Sequence, residues 1–292
     1  MPPEVREYPT NKKLFEKAGM PTPTDYVKKG EWTWAKFIEV AKKLSSGDGK
    51  QYGALLYIWP ICTFLPAYQQ RVDFITADGK IDVDINSVLF SMRMRRDLEK
   101  AKAIIPLAEL KTTKLHYSKA FYEGNVAMLL IGEWFPGFMI AGRNQNLLKN
   151  YTWNDWALTR LPCDSQDYIT AGAPTFNHIH SRSKKKDAAF KFLAWFGGPE
   201  GAKVVAQNGF LPAMINDEVE VELAKIVPDK DSLKYFTESV PRHAAYLNKY
   251  GTKIETQVLN PLIEKYLVTD MSDGDFLLEL DKGLKEVIKS TN

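Results

Sequence analysis

Apolar residues recur along this chain in two rhythms, one of three to four residues and one of two, and the switches between them mark its elements. From Thr33, a suitable N-cap, the positions Trp34, Phe37, Ile38, Ala41 and Leu44 repeat at helical spacing up to a break rich in Ser and Gly at 45–49. That pattern predicts an amphipathic helix of about three turns. Residues 52–58 form a short apolar run of strand length, with Trp59 at its junction to a loop and Pro60 just beyond. Asp78-Gly79 separates Phe74-Ile75 from the alternating Ile81, Val83 and Ile85, which predicts a hairpin. Ser87 then opens a helix carrying Val88, Phe90, Met92 and Leu98. A short helix from Ser118 leads through Gly124 into a buried strand over 126–131, which Gly132 ends and Trp134 follows. Trp153, Trp156 and residues 158–161 suggest a further strand before a loop with Pro162 and acidic residues.

The second half changes character. Ala171, Gly172 and Ala173 are a small-residue passage that lets a ligand approach the backbone. Phe176, His178 and His180 alternate as a strand face would, and a basic loop then opens a helix over 187–196. Gly197, Gly198 and Pro199 break that helix, with Pro199 suited to the first turn of the next. Ser272 and Asp275 read as the capped start of a terminal helix striped by Phe276, Leu277, Leu280, Leu284, Val287 and Ile288. Short strands alternating with helices, without an internal repeat, point to an α/β architecture.

Composition excludes more than it assigns. The chain has 292 residues, 45% hydrophobic and 26% charged, enough for one or two substantial cores. A formal charge of +3 lacks the concentrated basicity that phosphate neutralisation demands, so nucleic acid is not an expected partner. Basic clusters at Arg182 to Lys186 and at Arg93 to Arg96 read as solvated helix ends or faces. Two cysteines, Cys62 and Cys163, without a CxxC pair support neither zinc nor a redox motif; their spacing leaves open whether they pair. The first ten residues lack the apolar core of a signal peptide, and no run approaches a membrane span.

No catalytic motif is present: no G-x-S-x-G elbow, no H-E-x-x-H, no P-loop. We expect no cofactor and no metal, since His178 and His180 lack an obvious third ligand. Glu123 and Glu133 are the pair a glycosidase would use, but acidic residues are too common for that spacing to decide anything. Aromatics are 12% of the chain, and most must be core. Trp34 and Trp195 lie on helical stripes and read as packing. Trp134 and Trp59 differ, because each follows a buried strand at the place where open α/β sheets take ligands. Sugars present apolar C–H faces and polar rims, so such rings are candidate sugar platforms.

Several segments resemble the extracellular solute-binding proteins that feed carbohydrate ABC importers, the maltose-binding-like family. They are Asn11-Lys-Lys-Leu14-Phe-Glu-Lys-Ala-Gly19, the Thr33 to Leu44 helix, the string Phe121-Tyr-Glu-Gly124-Asn-Val126-Ala-Met128-Leu-Leu-Ile-Gly132-Glu-Trp134, the Asp78-Gly79-Lys80 turn, Ser183 to Leu193 with Pro199-Glu-Gly201, and Gly209-Phe-Leu-Pro212. The resemblance implies a periplasmic-binding-protein type II-like fold whose two lobes close over a sugar, and docking of the loaded form on a membrane permease. It places Trp134 as the stacking ring, Glu133 as a hydroxyl acceptor, Trp59 in a ligand loop, Gly172 and Ala173 near the hinge, and Tyr246 and Tyr250 in a segment returning to the second lobe. It also implies export, to the periplasm or to a membrane anchor at the cell surface. Gln69, Gln70 and Arg71 depart from the family's Gly-rich turn.

By the same resemblance, residues 1–180 and 236–292 make the second lobe and 181–235 a helical remnant of the first, whose opening segment has no counterpart before Asn11. Phe190, Phe192, Trp195 and Phe196 would then lack their sheet, so self-association through that face is expected. Two rival functions remain at this level, a carbohydrate-active enzyme and a protein-interaction module built on the remnant.

Overall fold

The computed structural model describes residues 8–165, 168–172, 176–237, 241–243 and 248–291. The two strand-length apolar runs lie side by side at its centre. β1 (Thr10–Asn11) leads into helix α1 (Lys12–Lys17), followed by α2 (Pro23–Lys28) and α3 (Trp34–Leu44). β2 (Leu55–Leu56) runs parallel to β5 (Leu129–Leu130), pairing Leu55 with Leu129 and Leu56 with Leu130. Single bridges widen this ladder: Tyr52 to Val126, Ala54 to Ile104, and Thr10 to Met128. Thr10 also pairs with Ala157 of β6 (Trp156–Ala157), so the spatial order is Ile104, β2, β5, β1, β6. Ala54, Leu55, Leu56 and all of 126–131 are buried. A parallel pair must be covered on both faces by its crossover helices, which is why these runs are continuously apolar rather than alternating.

The covering helices follow their caps. Thr33 Oγ accepts from Lys36 N, and α3 turns Trp34, Phe37, Val40, Ala41 and Leu44 inward. α4 (Pro60–Gln69) starts on a proline and is buried along its length. The hairpin of β3 (Phe74–Ile75) and β4 (Ile81–Asp82) turns at Gly79, whose φ of 84° lies in the left-handed region that glycine supplies. α5 (Ile85–Lys100) opens two residues before the expected Ser87, because Asp84 is the cap and accepts from Ser87 N at 2.6 Å. α6 (Leu107–Thr113), α7 (Tyr117–Tyr122) and α8 (Phe135–Asn144) complete the first part.

Two findings correct the sequence reading and two add to it. The Arg93 to Arg96 run is not a solvated face: Arg95 is 1% exposed, and Arg96 lies 3.2 Å from the ring centroid of Tyr266 while donating to the carbonyls of Tyr266 and Met271. Only Arg93 behaves as a surface charge, paired with Asp273. Phe176, His178 and His180 sit in irregular chain rather than a strand, exposed to solvent. Gln69, where the family turn was expected to differ, is a buried hub: Nε2 donates to the carbonyls of Pro162 and Ile169, and Oε1 accepts from Trp34 Nε1 at 2.7 Å. No disulfide joins Cys62 and Cys163, and burial pushes the Cys62 thiol up to about 12.

β7 (Thr170–Gly172) precedes helices α9 (Lys186–Phe196), α10 (Pro199–Gln207), α11 (Asp217–Ile226) and α12 (Lys230–Thr237), and pairs in parallel with β8 (Pro241–His243). The stretch 181–235 is not uniform. α9 buries none of its residues, and Phe190 is 65% exposed. α11 and α12 instead bury Val219, Leu223, Ile226, Tyr235 and Phe236, and Ser232 Oγ accepts from Leu158 N beside β6. α13 (Gly251–Lys253) passes through a π-helical stretch, Ile254–Leu259, into α14 (Asn260–Val268), and α15 (Asp273–Thr291) closes the chain with Ser272 Oγ accepting from Asp275 N. No helix among the described residues is long and apolar enough to cross a membrane.

Candidate functional site

Parallel pairing brings the carboxyl ends of β2 and β5 to one edge, and the chain leaving each strand delivers a tryptophan there. Trp59 occupies the N-cap position of α4 and Trp134 that of α8; Pro60 is the first residue of α4 and Pro136 the second of α8, where a fixed φ suits a helix start. Both rings are half-buried. Their centroids stand 6.0 Å apart at 76°, an edge-to-face pair. Trp134 Nε1 donates to the Tyr117 hydroxyl at 2.9 Å, so the half-buried indole is held by its polar tip. Tyr57 packs 4.8 Å from Trp59 and 5.0 Å from Tyr117, tying the two halves together. His116 lies 4.0 Å from Tyr117 and 5.4 Å from Phe138 at the rim.

Electrostatics favour neutral groups here. Burial pushes the Tyr117 hydroxyl up to about 12, against the opposing effect of its bond with Trp134. Partial burial among the rings lowers His116, whose Nδ1 accepts from Ser118 N and so caps α7. That bond assigns the proton of the neutral ring to Nε2. The set contains rigid aromatic faces, a phenol, an imidazole whose Nδ1 also lies 2.7 Å from Ser118 Oγ, and a neighbouring carboxylate, Glu133. It suits recognition of a ligand with apolar faces and hydroxyl edges, at the carboxyl ends where open α/β sheets take ligands.

The family model for bacterial extracellular solute-binding proteins matches residues 4–203. The chain belongs to that family. No curated protein matches it. Among solved structures, this solute-binding protein is similar to a sugar transporter from Rhizobium etli in an open conformation, at 31% identity and a TM-score of 0.74, over 97% of this chain and 71% of that one. It also resembles an ABC substrate-binding protein from Listeria monocytogenes in complex with cycloalternan, at 22% identity and a TM-score of 0.73, over 99% and 70%. A third likeness is to the GacH receptor of Streptomyces glaucescens, at 19% identity and a TM-score of 0.70, over 99% and 71%. The fold is that of the type II periplasmic binding proteins.

In this solute-binding protein the expected site residues separate into groups. Trp59 and Trp134 come together, as described. Glu133, half-buried beside Trp134, lines a cleft of about 560 Å³ with Asn177, Phe196, Asn208, Phe210 and Met214. Gly172 ends β7, paired with His243 of β8. Ala173 and Tyr246 lie outside the described residues. Tyr250 does not join the aromatic cluster: it is 1% exposed, and its hydroxyl sits 2.7 Å from where a Cβ on Gly79 would be, under the β3–β4 turn. The sequence reading missed Tyr57, His116 and Tyr117. Tyr57 was legible as the residue two before Trp59, on the same side of an extended chain. His116 and Tyr117 carried no such signal, since they precede a helix whose start was placed at Ser118.

Proposed function

We propose that this chain is a non-catalytic receptor for a sugar or oligosaccharide, exported to the periplasm or anchored at the cell surface, that delivers its ligand to the membrane permease of an ABC importer. The observation that carries this reading is the pair Trp59 and Trp134, half-buried and edge to face, with Trp134 hydrogen-bonded to Tyr117, at the carboxyl ends of two parallel strands. Stacking on such rings serves the apolar face of a pyranose and Glu133 its hydroxyls, while the buried Tyr117 hydroxyl orients Trp134. The likeness to the sugar transporter from Rhizobium etli supports the same reading. Gly172, with Ala173 and Tyr246, belongs to the same proposal as hinge and ligand-loop positions, as do lobes at 1–180 with 236–292 and at 181–235. Tyr250 would act there only by supporting the hairpin.

A glycosidase built on Glu123 and Glu133 is disfavoured by the strand between them. The two residues flank opposite ends of 126–131, a span of about 16 Å at the rise of an extended chain, whereas paired catalytic carboxylates stand roughly 5 to 9.5 Å apart. Glu123 is instead paired with Lys149 at 2.8 Å. The test is a titration with mono- and oligosaccharides followed by tryptophan fluorescence, with Trp134→Ala in parallel. We expect a saturable change in the wild type and an affinity loss of about 30-fold or more in the variant, the scale of a central aromatic contact. No response to any sugar refutes the reading.

The exposed rings of α9 carry a second expectation, association of copies in solution. Leaving several such side chains in water costs on the order of 1.5 to 3 kcal/mol each.

A further inference from the structure

β2 ends at Leu56, yet the chain that continues toward Trp59 is still interior: Leu56 and Tyr57 are both buried. Buried carbonyls need donors, and where the strand leaves the sheet the donor is a side chain. Arg95 Nη2 donates to the Leu56 carbonyl at 3.1 Å and Nη1 to the Tyr57 carbonyl at 3.3 Å. The same Nη1 donates to Thr63 Oγ1 at 2.7 Å, in the first turns of α4. Nε donates to Glu99 Oε1 at 3.1 Å, and that oxygen also accepts from Leu107 N at the start of α6. One planar guanidinium therefore grips the backbone before Trp59 and the helix after it, and is itself fixed by an ion pair with Glu99. A fully buried cation is expensive and persists only when paired and hydrogen-bonded throughout, as this one is.

We propose that Arg95 is a positioning residue: by clamping the strand end and the helix start on either side of Trp59, it sets the angle at which Trp59 faces Trp134. Its effect on ligand affinity rests on the sugar-binding reading of the aromatic pair; its effect on the ring does not. Lysine cannot replace it, since an ammonium lacks the fork that reaches Glu99, Thr63 and two carbonyls together.

The experiment uses the full chain labelled with 5-fluorotryptophan. The Trp59 fluorine resonance is assigned through Trp59→Phe, and sugar affinity is measured on the same samples. Arg95→Lys and the milder Thr63→Val are compared with Leu284→Ala, a core truncation in α15. We expect the Trp59 resonance to shift or broaden in Arg95→Lys and Thr63→Val, and the sugar Kd of Arg95→Lys to rise tenfold or more. Leu284→Ala should lower Tm while leaving both readouts as in the wild type. An unmoved Trp59 resonance in folded Arg95→Lys and Thr63→Val overturns the proposal, as does an equal response to Leu284→Ala. If Arg95→Lys does not fold, Thr63→Val, which keeps the guanidinium on Glu99, decides alone. If the wild type binds no sugar, the resonance still decides for Arg95 and only the sugar reading falls.

Discussion

Replacing Tyr117 by Phe removes one oxygen atom and leaves the ring that packs against Tyr57, His116 and Phe138. The missing hydroxyl is the acceptor for Trp134 Nε1 at 2.9 Å. A neutral hydrogen bond of that length contributes about 1 kcal/mol net, and because Trp134 is only half-buried, water replaces part of what is lost. The indole does not collapse: its edge-to-face contact with Trp59 at 6.0 Å, worth about 0.5 to 1.5 kcal/mol, still holds one side. The expected result is therefore a modest change, sugar binding weakened about fivefold, the factor that corresponds to 1 kcal/mol. Isothermal titration at neutral pH, with circular dichroism to confirm the fold, measures it. Tyr117→Phe should fall well short of Trp134→Ala. Loss as large as that of Trp134→Ala would show that the Tyr117 hydroxyl itself contacts the ligand. An unchanged Kd, together with an unchanged indole N–H resonance for Trp134, would refute the idea that this bond orients the platform. The Tyr117 hydroxyl also has a signature in alkali: burial raises its pKa from 10.0 to about 12 on folding, so its contribution is complete below pH 10 and lost as pH rises toward 12.

His116 is lowered on folding, so the unfolded chain takes up its proton first; its stabilising contribution is complete above about pH 6.5, its unfolded value, and is lost as pH falls below that. Urea midpoints from pH 5 to 7.5 should show that slope in the wild type and a flatter one in His116→Asn, and equal slopes would contradict the assignment. Gly209 has a φ of 85°, and a Cβ there would lie 2.4 Å from the Cα of Gly137, so Gly209→Ala should cost about 2 kcal/mol or more, read as a lowered Tm. Phe190 and Phe192 are 65% and 57% exposed. Sedimentation velocity should show concentration-dependent association that Phe190→Lys with Phe192→Lys abolishes, and a wild type that stays monomeric at every concentration refutes it.

What the sequence determined by itself is local. The Thr33 cap, the Asp78-Gly79 turn, the proline starts and the continuous apolar runs each act within a turn or a strand, so a reader of residues can see them. Trp59 and Trp134 were legible for the same reason, each being the ring that follows a buried run. Even Arg95 left a trace, since it falls at helical spacing between Met92 and Leu98 on the buried stripe of α5, although its charge argued for the surface. Only the tertiary structure decided that the two tryptophans meet. That depends on β2 and β5 pairing in parallel and in one register, a contact between segments far apart in the chain, chosen by the burial of both strands between helices. The same long-range packing carried Tyr117 under Trp134, turned Arg95 inward onto the end of β2, and left the rings of α9 facing water, because nothing among the described residues covers them.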